Sequence, residues 1–103
     1  MKFVEEIVDM IDDEIEGAEH YAKCARKHKE DHPSVAAAFH HIATEELRHI
    51  DILHAEVKKL IEEHRRVHGE PPVAMLAVWD YVHKKHVEKA ERIKDMLGEF
   101  RSE

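Results

Sequence analysis

Cysteine is nearly missing from this chain. Cys24 stands alone, so neither an intramolecular disulfide framework nor a cysteine-built zinc or iron site is available. Glycine and proline are scarce, at three each, and there are one tryptophan, two tyrosines and three phenylalanines. That is too little turn chemistry for a sandwich or barrel of short strands. No long apolar run occurs, and the N-terminus MKFVEEIVDMIDDE turns acidic within five residues. Neither a signal peptide nor a membrane span is expected, and a cytoplasmic location follows as the default. Net positive charge is lacking too. The formal charge of −7 argues against nucleic acid as a partner.

What is present is the composition of long helices: 38% charged, 43% hydrophobic, rich in Ala, Glu, Lys, Leu and Ile. Eleven histidines are the odd feature; protonating all of them would reverse the sign of the net charge. At 103 residues there is room for one small domain. Asp31-His32-Pro33-Ser34 and Gly69-Glu70-Pro71-Pro72 break the chain into three segments, about 2–30, 33–68 and 72–101. Proline suits the first turn of a helix, and glycine suits the position just past its end. Arg26, Lys27, His28 and Lys29, then His64, Arg65, Arg66 and His68, gather where the first two segments end. There they complement the negative pole of the helix dipole. Three helices of roughly 40–50 Å do not fit a compact chain of about 13 Å radius of gyration. An elongated monomer with open apolar stripes, and hence a homo-oligomer, is the expectation.

Helical stepping places the polar interruptions. Segment one reads Val4, Ile7, Ile11, Glu14, Ala18, Tyr21, Ala25, His28. Segment two reads Val35, Phe39, Ile42, Glu46, His49, Leu53, Glu56 or Val57, Leu60, His64. Segment three reads Leu76, Trp79, Val82 or His83, His86, Ala90, Ile93, Leu97, Phe100. These are bundle-type seams. Glu14, Glu46 and His49 interrupt the first two, and a carboxylate on an apolar seam is costly unless something neutralises it. Counted from the turn near residues 31–32, Glu14 lies about 17 residues away, Glu46 about 14 and His49 about 17. An antiparallel hairpin brings them to one level, and Glu46 and His49, three apart, share a face. Two carboxylates and an imidazole with no paired base suit a hard cation, iron or manganese.

At these residues the sequence resembles a known family. Glu14, Tyr21 one heptad on, and Glu46-x-x-His49 on the next helix look like half of the ferritin-like diiron-carboxylate signature. The texture EIEGAEHYAKCA and AAFHHIATEELRH is most like the rubrerythrin-type branch and the small encapsulated ferritins. The resemblance covers about residues 3–65. It implies an all-α fold: a long antiparallel hairpin plus a third helix, with a four-helix core completed by dimerisation. In the family, two helices each give one Glu and two give Glu-x-x-His; this chain shows one of each. The expectation is therefore a homodimer or higher homo-oligomer with two irons per shared site, manganese or zinc serving as substitutes. Glu14, Glu46 and His49 would be the metal ligands, and Tyr21 a fourth catalytic residue close to the metals. The implied activity is ferroxidase-type oxidation of Fe(II) by dioxygen or peroxide. Peroxide scavenging with an external reductant is the first alternative. A non-catalytic helical interaction module or His-rich metal buffer is the second. The tail DMLGEFRSE does not resemble an encapsulin-loading peptide, so a shell partner is not expected.

Several other residues carry two readings. Asp80-x-x-His83 with His86 repeats the acid-x-x-His spacing; it reads first as a polar rim near Trp79 and second as another metal site or a path for iron. Asp13, Glu16, Glu19 and Glu45 read as a solvated acidic face, or as an approach that draws cations in. Gly17 costs about 1 kcal/mol against alanine inside a helix, which points to close helix approach beside the site. His20, His40, His41 and His54 have no assigned role.

Overall fold

The computed structural model describes residues 2–101, the side chain of Arg101 excepted. Ser102 and Glu103, the end of the tail sequence, lie outside the described residues. Three helices follow in order: α1 (Lys2–Lys27), α2 (Pro33–His68) and α3 (Val73–Arg101). The fold is all-α, as expected. α1 ends three residues before the segment boundary expected at 30. Residues 28–31 form a turn in which His28 donates from Nδ1 to Asp31 at 3.3 Å and the His32 amide bonds the His28 carbonyl at 2.9 Å. Pro33 opens α2, where its missing N–H costs nothing. Gly69 closes it at φ 84°, a left-handed backbone that glycine adopts freely, and its amide reaches the Arg65 carbonyl at 3.1 Å. His64 donates from Nδ1 to the Gly69 carbonyl at 3.2 Å, so this histidine serves the helix end. Pro72 starts the next helix by offering its carbonyl to the amides of Met75 and Leu76.

The molecule is a rod, 55 × 18 × 18 Å, with a radius of gyration of 16.5 Å. α1 and α2 pack as an antiparallel hairpin along their shared length, and α3 lies over it, mainly against α1. The core row on α1 is Val4, Ile7, Ile11, Ile15, Ala18, Ala22 and Ala25. On α2 it is Ala36, Ala43, Leu47, Ile50, His54, Val57 and Ile61. Trp79, His86, Ile93 and Leu97 complete it from α3. Ile11, Ile50 and Ile93 are shut off from solvent, each worth roughly 1.5–3 kcal/mol of burial.

These rows correct the seams expected from the sequence. On α1 the row passes through Ile15 and Ala22 rather than Glu14 and Tyr21. On α2 it is displaced by one residue along most of its length. The physical reason is that each hairpin helix has two neighbouring apolar rows. α3 covers one. The other contains Tyr21, Phe39, Ile42, Leu53 and Leu60, all half-buried, with Met10 and Val35 exposed. Glu14 and Glu46 are accordingly half-buried at this open face, and His49 is exposed, whereas the seam pattern predicts all three as buried. No helix is long and apolar enough to cross a membrane among the described residues.

Candidate metal centre

Glu14 projects from the middle of α1 and meets Glu46 and His49 from α2. His49 Nδ1 donates to Glu14 Oε2 at 3.2 Å, across 35 residues of sequence. The side chain of Glu14 is 30% exposed and that of His49 51%. Burial pushes the Glu46 carboxyl above the usual range, and the charge of Glu14 adds to this. A hydrogen bond to Glu14 works in the same direction, while His49 partly opposes it. Two carboxyl groups are thus held against each other with one imidazole beside them. The nearest arginine in sequence, Arg48, pairs with Glu45 at 3.2 Å instead.

Gly17 makes this approach feasible. A Cβ there would stand 3.1 Å from the Glu46 carboxyl carbon, 3.2 Å from Oε1 and closer still to Oε2. The glycine is the hollow into which the Glu46 carboxyl sits. Tyr21, two turns beyond Glu14 on the same edge, packs its ring 5.5 Å from that of Phe39. Cys24 lies further along, half-buried, its sulfur 4.0 Å from His20 Nε2.

The donor set suits a hard divalent cation: oxygens that repel one another plus one imidazole. A cation between them would relieve the repulsion that raises Glu46. Within one chain, no group of three or more His, Cys, Asp or Glu side chains among the described residues forms a complete metal-binding arrangement. Of the acidic residues around the site, Glu19 pairs with Lys23 and Glu45 with Arg48, both at the surface. Such exposed pairs are worth little.

A second polar cluster lies under α3. His86 is 2% exposed. Its Nε2 donates to Asp12 at 2.8 Å, while its Nδ1 accepts from His54 Nε2 at 3.2 Å. The ring of His83 meets that of His54 edge-on at 4.6 Å and stacks on Trp79 at 5.2 Å. The sequence spacing groups His86 with Asp80 and His83. The structure joins it to Asp12 and His54, and leaves Asp80 exposed at the margin. Burial holds His54 down to about 4, with the charges of His83 and His86 adding to the effect. His83 is lowered as well, first by burial and then by Lys58.

His54 does carry a signal in the sequence. It stands four residues after Ile50 and seven after Leu47, interrupting the true core row of α2 as Glu46 interrupts the neighbouring one. Asp12 carries none, since its partner is 74 residues away.

The sequence pattern of the rubrerythrin family matches residues 6–99. That span includes all of the residues of both clusters, and extends through α3, well past the residues 3–65 that carry the resemblance. No curated protein and no solved structure matches the chain.

Proposed function

Because the chain belongs to the rubrerythrin family of ferritin-like, iron-binding helical domains, we propose that two copies join their open hairpin faces around a dinuclear iron site and oxidise Fe(II). The observation that carries this reading is the Glu14–Glu46–His49 cluster on an uncovered apolar row. A two-fold pairing is self-complementary, so each residue of the patch meets its own counterpart or a neighbour. Pairing would supply Glu14, Glu46 and His49 twice and bury the row containing Phe39, Ile42 and Leu53. Glu14 and Glu46 would balance the metal charge, and His49 would supply the nitrogen donor, its ring at present held by Glu14.

Fe(II) is the substrate. Each of two ions gives up one electron. Peroxide accepts the pair with two protons and leaves as water; dioxygen accepts it with two protons and leaves as peroxide. Burial and the charge of Glu14 raise the Glu46 carboxyl, and bound cations would offset this and favour its ionised form.

Fe(II) added without oxygen, followed by air, tests the proposal. About one iron per chain is expected, with near-ultraviolet ferric absorption developing after air and the loaded species sedimenting as a dimer or larger. Tight binding by a monomer would sink it. Family membership also supports a second reading, peroxide removal with an external reductant. Steady turnover of peroxide with a reductant, without net iron uptake, selects that reading over ferroxidase.

A further inference from the structure

We infer that the histidines packed between α2 and α3 form a second metal site, in which His54, His83 and His86 bind a divalent cation of the zinc class.

Two ligand atoms are already at coordination spacing. His54 Nε2 and His86 Nδ1 are 3.2 Å apart. Two nitrogens bound at 2.0–2.1 Å to a tetrahedral ion stand about 3.3 Å apart. The separation thus matches that of two metal-bound nitrogens, and on binding each ring would turn so that its lone pair points at the ion rather than along the line between the two nitrogens. His86 has the support that a ligating imidazole needs. Its other nitrogen donates to the Asp12 carboxylate at 2.8 Å, which fixes the tautomer with the lone pair on Nδ1, now accepting from His54. His54 becomes a ligand by moving its proton from Nε2 to Nδ1, so neither ring loses a proton to solvent.

His83 supplies the third imidazole. Its ring is 4.6 Å from that of His54 and nearly perpendicular to it. In the present packing no three such side chains among the described residues converge on one point, so binding would require His83, half-buried and stacked on Trp79, to turn toward His54 and His86. The partly open side of His83 is also the way in for the ion. Asp12, Asp51 and Asp80 act on these three rings with negative charge, and Lys58 opposes them with one positive charge. Three imidazoles favour zinc, copper or nickel over the hard ions suited to Glu14 and Glu46. The site would pin α2 to α3, two helices that otherwise touch little. It is independent of the proposed iron chemistry.

Trp79 is the only tryptophan in the chain and stacks on His83, so it reports on this site. Co(II), a zinc stand-in whose unpaired electrons quench indole fluorescence, is the probe. Co(II) titrated into the intact protein is expected to quench Trp79 with saturation at one ion per chain and to raise the unfolding midpoint. His83→Gln should weaken the quench at least tenfold, and Glu46→Gln should leave it unchanged. His54→Gln should abolish it; if that variant loses helicity, the more exposed His83→Gln decides alone. No quench up to millimolar Co(II) overturns the inference. So does a quench that survives His83→Gln, or one that is lost in Glu46→Gln.

Discussion

Glu46→Ala is expected to abolish the ferric absorption that follows Fe(II) and air, and Gly17→Ala to weaken it strongly without replacing a ligand. The two losses arise differently. Glu46→Ala removes one carboxylate from each chain. Gly17→Ala inserts a methyl where the Glu46 carboxyl sits, 3.1 Å from its carbon. Only the flexible end of Glu46 has to yield, so the helices need not part. The carboxyl is expected to leave its place beside Glu14, which would relieve the repulsion between them. Alanine meanwhile contributes about 1 kcal/mol over glycine in a helix interior, or roughly 4–8 °C in the unfolding midpoint of a domain this size. The expected result is a more stable protein whose iron affinity is down by about 10–100-fold, the usual cost of disturbing a ligand's support. Thermal unfolding and iron binding on the same sample check it. A variant that is stabilised and still binds iron with parental affinity refutes the role given to Gly17.

The helix ends and the level of the carboxylate cluster are legible in the amino-acid sequence. Pro33 and Gly69 mark helix ends through backbone chemistry that no packing alters, so the two ends of α2 and the start of α3 fall within a residue of expectation, while α1 ends three residues short of it. Counting from a turn places Glu14 and His49 at one level, and they meet at 3.2 Å. The burial is less legible. α2 carries Val35-Ala36, Ile42-Ala43, Leu53-His54 and Leu60-Ile61 as adjacent pairs, so two rows one residue apart both satisfy helical periodicity. Which row α3 covers depends on where α3 lies, and periodicity within α2 does not contain that. The His54–His86–Asp12 chain is hidden for a similar reason. It joins three helices, and local spacing points instead to Asp80, which shares a helix with His86. Where a polar residue interrupts one of two competing rows, the row it marks as core stays ambiguous until the third helix is placed.

Acid is expected to destabilise the protein through His54. Its imidazole titrates at about 4 in the folded chain and at the ordinary histidine value of 6.5 when free of these surroundings. Between those values the unfolded chain binds a proton that the folded chain refuses. The stability contributed by neutral His54 is therefore complete above about pH 6.5 and is lost as pH falls toward 4. A gap of this size corresponds to roughly 3 kcal/mol, a large share of the margin a domain this small possesses. The cause is burial first. His83 and His86 on α3 and Lys58 on α2 add to it, and Asp51 opposes it. Asp12 on α1 acts only behind His86. Urea unfolding of the metal-free protein at pH 7 and pH 4 checks the figure, with His54→Leu as control. Leucine removes the titration but keeps an apolar side chain in the core row, so its stability should fall less over that interval. Parallel losses in the two proteins would mean that His54 opens to water before it charges, and that its burial does not govern the acid response. Because the folded state keeps His54 neutral well below pH 6.5, the imidazole lone pair a metal would need stays available there, whereas the unfolded chain protonates it.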